Sequence, residues 1–186
     1  MSELASSGQI RMALVRRALI TVPACVVLGF ISGAIGNAGP DNLWYTALEK
    51  PSFQPPGWAF GVVWTILYVL MGLALAIVLN ARGSRFRGYA VALFVVQFMF
   101  NLAWSPVVFG LHQITWGLVI LAFMFVFAVA TTIAFWRVRT NAALLMLPYL
   151  AWLCLAGALN FELRQLNPDA DGLVMDSGGS QIDLRR

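Results

Sequence analysis

Asp, Glu, Lys and Arg are absent from four stretches of this chain: Ala18 to Pro40, Pro51 to Ala81, Gly88 to Trp136, and Thr140 to Phe161. A helix needs roughly 20 predominantly apolar residues to cross the hydrocarbon core of a bilayer. Each stretch is long enough for one crossing, and the third is long enough for two. Pro106, Gly110, His112 and Gln113 divide that third stretch, because Pro, Gly and polar residues between apolar runs mark a turn. The pattern therefore predicts five spans, at about 18–38, 57–81, 88–107, 114–136 and 142–161. Composition agrees: 60% of residues are hydrophobic and 11% charged, against about 45–50% and about 25% in soluble domains. The fold class read from this is an all-α membrane protein, a five-transmembrane-helix bundle.

Short loops between the spans make the bundle one domain. Residues 1–17 form an N-terminal cytoplasmic segment, residues 18–161 the transmembrane domain with a long loop at 39–56, and residues 162–186 a C-terminal tail. The end of that tail, "NPDADGLVMDSGGSQIDLRR", is rich in Gly, Asp and Ser and is expected to be mobile. Arg16 and Arg17 before an apolar run also resemble a signal peptide. Its apolar core would span about 7–15 residues, and this run is longer, so a retained helix is the preferred reading. Gly29, Gly33 and Gly36 lie near one face of that helix and suit close helix packing.

Arginine placement orients the chain. Arg11, Arg16, Arg17, Arg82, Arg85, Arg87, Arg137 and Arg139 fall on one side of a five-span path, leaving Lys50, Arg164, Arg185 and Arg186 on the other. Cytoplasmic loops carry the excess of Lys and Arg, which puts the N-terminus in the cytoplasm and the 39–56 loop outside. The basic balance is thus topological, and no nucleic-acid partner is expected. The partners expected are membrane lipid and a hydrophobic small molecule. The setting is an integral multi-pass protein of a bacterial membrane, with cytoplasmic and outer membranes both open.

The spans carry little conventional chemistry. They hold no carboxylate, Lys or Arg of the kind that proton relays and ion pathways use. No Ser/His/Asp set or paired carboxylates is present, so no catalytic residue is assigned. The single His, His112, lies in a turn. Cys25 and Cys154 read as small apolar fillers. Neither a metal site nor a cofactor is expected.

Aromatic and polar residues nevertheless share faces inside the spans. Trp64, Tyr68 and Met71 fall on one face of the second span, at helical spacing. Gln97, Asn101, Trp104 and Ser105 do so in the third, and Tyr149, Trp152, Ala156 and Asn160 in the fifth. A polar group in hydrocarbon costs several kcal/mol if unpaired, so these faces turn inward. They serve either as interhelical glue or as the lining of a pocket. Indole N–H and phenol O–H groups beside apolar faces suit a flat aromatic ligand with a few acceptors.

The 39–56 loop, "GPDNLWYTALEKPSFQPP", is the longest and the richest in aromatics. Asp41 or Asn42 can cap a short helix, which Lys50-Pro51 ends. Pro55-Pro56 then opens the second span. Trp44 and Tyr45 form either an interfacial aromatic belt or part of a lid over the bundle mouth.

Three motifs occur in order: "WYTALEKPSFQPPGWAFGVVWTILYVLMG" (Trp44 to Gly72), "QFMFNLAWSPVVFG" (Gln97 to Gly110) and "LPYLAWLCLAGALNFE" (Leu147 to Glu162). Together they resemble the translocator protein / tryptophan-rich sensory protein family over residues 20–165. The resemblance implies a five-helix bundle that binds porphyrins of the protoporphyrin IX type and other hydrophobic aromatic ligands, acting as a sensor or transporter of tetrapyrroles. It implies that the 39–56 loop is the lid. It carries ligand binding onto Trp44, Tyr45, Trp64, Tyr68, Asn101, Trp104, Trp152 and Ala156, and it implies a homodimer. Two alternatives stand beside this. One is a light-dependent porphyrin-degrading enzyme using Trp64 and Trp152; the other is a structural membrane partner with no small ligand. The chain departs from the family's animal sterol pattern, with Phe161 where Tyr is required.

Overall fold

A computed structural model describes residues 7–175 and 181–183. Five long helices are apolar enough to span a membrane, as the charge-free stretches predict. They are α1 (Ser7–Ile35), α3 (Gly57–Asn80), α4 (Arg87–Ser105), α5 (Ile114–Val138) and α6 (Thr140–Leu166). The short helix α2 (Leu43–Ala47) lies in the long loop, and the last turn of the third span is a π-helical turn, Pro106–Gly110. The strands β1 (Leu173–Met175) and β2 (Gln181–Asp183) pair antiparallel in the tail, Val174 opposite Ile182.

The helices pack in the ring order α1, α3, α6, α5, α4, with α1 returning to α4. Consecutive spans are therefore not always neighbours: α3 lies mainly against α1 and α6. Each helix buries one stripe and leaves apolar side chains such as Ile20, Phe30, Met99, Val126 and Phe161 exposed on its outer face. A water-soluble bundle would carry polar residues there, so the outer surface is one that lipid covers.

Small residues set the closest approaches. A Cβ on Gly72 would stand 2.6 Å from Val22 Cα, and one on Gly36 would stand 2.5 Å from the Ser105 carbonyl oxygen. Gly29 lies flat under the Tyr68 ring, where a Cβ would come within 2.1 Å. Gly33, expected to share this role, faces open space.

Proline explains one cross-helix bond. Pro106 has no N–H for the carbonyl four residues earlier, that of Leu102. The hydroxyl of Ser32 on α1 donates to that carbonyl at 2.6 Å. Thr21 on α1 likewise donates to Gly72 O at 2.7 Å. At the opposite end of the bundle Arg17 donates to Leu79 O and Asn80 Oδ1 and holds α1 to α3.

Candidate functional site

The central site is built from α3, α4 and α6. Trp64 stacks on Tyr68, one turn further along α3, with ring centroids 5.4 Å apart. Trp152 on α6 meets Trp64 edge-on at 6.5 Å and Phe60 at 5.7 Å. Tyr149, fully buried, meets Trp64 at 6.3 Å. These rings form a continuous aromatic wall at the α3–α6 seam.

Asn101 on α4 ties the wall together. The Tyr68 hydroxyl donates to Asn101 Oδ1 at 3.1 Å, and Asn101 Nδ2 donates to the Tyr149 hydroxyl at 3.2 Å. A second contact runs from Asn101 Nδ2 to Met124 Sδ at 3.7 Å. Its amide is thus committed to neighbouring side chains and joins α4 to α3, α5 and α6. Gln97, one turn earlier, is fully buried and reaches only Met71 Sδ at 4.0 Å, its Oε1 remaining unpaired.

The indole nitrogens of Trp104 and Trp152 differ from these. Both Nε1 atoms are buried without a hydrogen-bond partner, as are Ser105 Oγ and Asn160 Oδ1. Buried donors and acceptors are paired in the great majority of cases, so each unpaired one marks a place where a polar atom of something else can fit. Ala156 sits one turn beyond Trp152 on α6 and is partly buried.

Above the wall lies the long loop. The Asn42 side chain caps α2 by accepting from Tyr45 N at 2.9 Å, and its amide donates to Phe109 O at 3.1 Å. At the other end of α2, Lys50 Nζ donates to the carbonyls of Tyr45 and of Leu48, the latter at 2.6 Å. The single lysine therefore caps a five-residue helix, where a cation suits the free carbonyls. Burial lowers its pKa from the ordinary lysine value. Tyr45 leans on Phe109 edge-on at 5.0 Å, and Phe109 on Trp104 at 5.6 Å. Those contacts connect the loop to the aromatic interior.

Trp44 takes a different path. It stacks on His112 at 4.7 Å, and its Nε1 donates to Ala170 O at 3.0 Å. Burial lowers the His112 pKa, and a hydrogen bond to the Leu173 backbone partly offsets this. Composition alone reads the stretch after Asn167 as a mobile tail. Its first residues bind the loop in this structure. Glu49 N donates to Asn167 Oδ1 at 2.9 Å, and Asn167 Nδ2 returns a bond to Glu49 O at 2.8 Å. Asp171 accepts from Ile114 N at 2.6 Å and from the Thr115 hydroxyl, capping α5. Arg164 donates to Thr115 Oγ1 at 2.7 Å and to Pro168 O at 2.9 Å. Residues 167–173 thus form a strap across the loop and the α5 end; the tail residues 176–180 and 184–186 lie outside the described residues.

Of the eight residues expected to bind ligand, the structure gathers Trp64, Tyr68, Asn101 and Trp152 at the wall. Trp104 lies nearer the mouth, Tyr45 in the loop above it, and Trp44 under the strap. Two hollows flank the loop: one of about 390 Å³ lined by Asn37, Asp41, Trp44, Phe109 and His112, and one of about 210 Å³ lined by Trp44, Leu48, Asn167 and Leu173. Sequence reasoning missed the strap. The Asn-Pro pair at 167–168 signals a turn, but nothing local shows that Asp171 caps a helix more than fifty residues earlier.

Among the described residues no His, Cys, Asp and Glu group could hold a metal ion. Fold and site together define a multi-pass membrane bundle with an aromatic interior under a strapped loop. The model of the TspO/MBR family matches residues 21–166. The "Tryptophan-rich protein TspO" of Chlorobaculum tepidum is 42% identical over 80% of this chain and 94% of its own length. The "Tryptophan-rich sensory protein" of Cereibacter sphaeroides is 42% identical over 69% of this chain and 78% of its own. The human "Translocator protein" is 40% identical over 72% and 80% respectively. The chain belongs to the TspO/MBR family and is an integral multi-pass membrane protein.

Proposed function

We propose that this protein binds porphyrins of the protoporphyrin IX type, and other flat hydrophobic molecules, between its helices, and so senses or carries tetrapyrroles within the membrane. The observation that carries this reading is the aromatic wall of Trp64, Tyr68, Tyr149 and Trp152, beside indole donors with no partner in the protein. Such a surface offers ring faces for stacking and N–H groups for a few acceptors. The names of the relatives, a sensory protein and a translocator, are in keeping with either role.

Quenching of tryptophan fluorescence by protoporphyrin IX in detergent tests the reading. Replacing Trp64 and Trp152 with Phe keeps apolar area but removes both indole N–H groups. A neutral hydrogen bond is worth about 0.5–1.5 kcal/mol net, so affinity is expected to fall a few-fold to about tenfold for each bond lost. Unchanged affinity in a folded double variant overturns the role of the wall. Reconstituted vesicles then separate carrier from sensor, since only a carrier gives vectorial porphyrin flux.

A further inference from the structure

The charges of this chain are divided between the two ends of the bundle. Arg82, Arg85 and Arg87 lead into α4, Arg137 and Arg139 lie where α5 ends, and Arg11, Arg16 and Arg17 lie early in α1. The acidic residues among the described ones, Asp41, Glu49, Glu162, Asp169, Asp171 and Asp183, all belong to the opposite end, with the loop and the strap. Keeping arginines on one side orients a membrane protein. Orientation alone does not require two of them to meet, and like charges repel.

Two of them do meet, at the seam of α4 and α5. The Arg85 guanidinium stands 4.9 Å from the ring centroid of Phe86, and that of Arg137 stands 5.9 Å from the same centroid. The two charges are therefore within about 11 Å of each other. Among the described residues neither guanidinium has a hydrogen bond or an ion pair. Arg17, by contrast, is bonded to Leu79 O and Asn80 Oδ1. Phe86 is the N-cap residue of α4, whose first turn has no acidic residue and no side-chain cap. The free N–H groups of that turn add to the positive potential.

Two guanidiniums without partners fit a phosphodiester, because each planar fork can give parallel N–H bonds to its oxygens. The surroundings fit a lipid. Tyr89 in the first turn of α4 and Trp136 in the last turn of α5 are both more than half exposed, and such rings collect at headgroup depth. Ile133 and Val126 lie on the face of α5 that carries Arg137, at helical spacing, and are exposed too. Acyl chains below a phosphate at Arg137 thus meet apolar surface that a free anion would not use.

We propose that the arginine-rich end of the α4–α5 seam is a binding site for an anionic phospholipid. Arg85 and Arg137 take the phosphodiester beside Phe86, and the acyl chains lie along Ile133 and Val126. Basic pockets between membrane helices recognise anionic headgroups in this way.

The test titrates the full-length protein in non-ionic detergent with phosphatidylglycerol or phosphatidylcholine and counts bound lipid by native mass spectrometry. Both lipids carry the phosphodiester, but only phosphatidylglycerol has net negative charge. The wild type is expected to bind phosphatidylglycerol roughly 25-fold more tightly, about fivefold for each arginine. Arg85→Gln/Arg137→Gln is expected to remove most of that preference. Arg11→Gln/Arg139→Gln, which deletes the same charge from the same end, is expected to leave most of it. All four side chains are exposed, so both variants should fold. Equal binding of the two lipids by the wild type, which needs no variant, overturns the site. Equal loss in the two variants overturns it as well, since diffuse attraction then suffices. Displacement of phosphatidylglycerol by inorganic phosphate at equal concentration overturns the lipid assignment.

Discussion

Asn167→Ala tests whether the strap governs the 39–56 loop. The Asn167 side chain makes two bonds to the Glu49 backbone, at 2.9 and 2.8 Å, and one to Leu163 O at 2.9 Å. Only the first two join strap to loop. Each is worth about 0.5–1.5 kcal/mol net, and the partial exposure of the groups places them toward the low end. Losing both should cost the closed arrangement about 1–2 kcal/mol, a roughly five- to thirtyfold shift toward the undocked loop. The bundle itself should not change, because Asn167 lies beyond the last helical turn and outside the spans. If the loop covers bound porphyrin, dissociation quickens by about that factor while thermal unfolding stays within a degree or two. Stopped-flow displacement, read by recovery of tryptophan fluorescence, measures the rate. Trp44→Phe, which removes the bond to Ala170 O at 3.0 Å but keeps a ring over His112, should act in the same direction. Wild-type dissociation rates in both variants, with intact folds, would show that the strap does not control ligand exit.

Ser32→Ala leaves the Leu102 carbonyl without a donor and should lower detergent unfolding stability by about 0.6 kcal/mol, up to about 1.7. In a Pro106→Ala background, where a backbone N–H returns, the same change should cost almost nothing. Gly72→Ala, pressed to 2.6 Å from Val22 Cα, should destabilise by about 1–3 kcal/mol, whereas Gly33→Ala, facing open space, should be neutral; equal effects on melting would refute the contact reading.

Span number was legible because hydrocarbon excludes charge, and the four charge-free stretches recover all five helices. Span ends were less so. Helix α1 is already formed at Ser7, well before the apolar run, because Arg11, Arg16 and Arg17 continue it beyond the apolar stretch. The ring order was not legible either. Each span is apolar nearly all round, so periodicity does not say which face meets which neighbour. Polar residues were the better guide: Asn101, placed inward from its cost in lipid, does bond to Tyr68 and Tyr149 across helices. Its face gave the direction of the side chain but not whether partners inside the protein would use it up.

That distinction separates glue from binding group, and it applies residue by residue. Asn101, Ser32 and Thr21 have their bonds within the bundle, and removing any of them loosens helix packing first. Trp104, Trp152 and Asn160 sit in comparable surroundings, yet each keeps an unpaired buried atom. A protein selected only for stability gains by pairing such atoms or replacing them with apolar ones, since an unsatisfied group bears its full desolvation cost. Keeping three of them on α4 and α6, beneath a loop fastened by the strap, is what a site for an outside molecule requires. Ligand binding should therefore stabilise this bundle more than burial of apolar area alone predicts. The excess should vanish when Trp104 becomes Phe and Asn160 becomes Leu. Thermal shifts with protoporphyrin IX as large in that double variant as in the wild type would show that these atoms find their partners elsewhere.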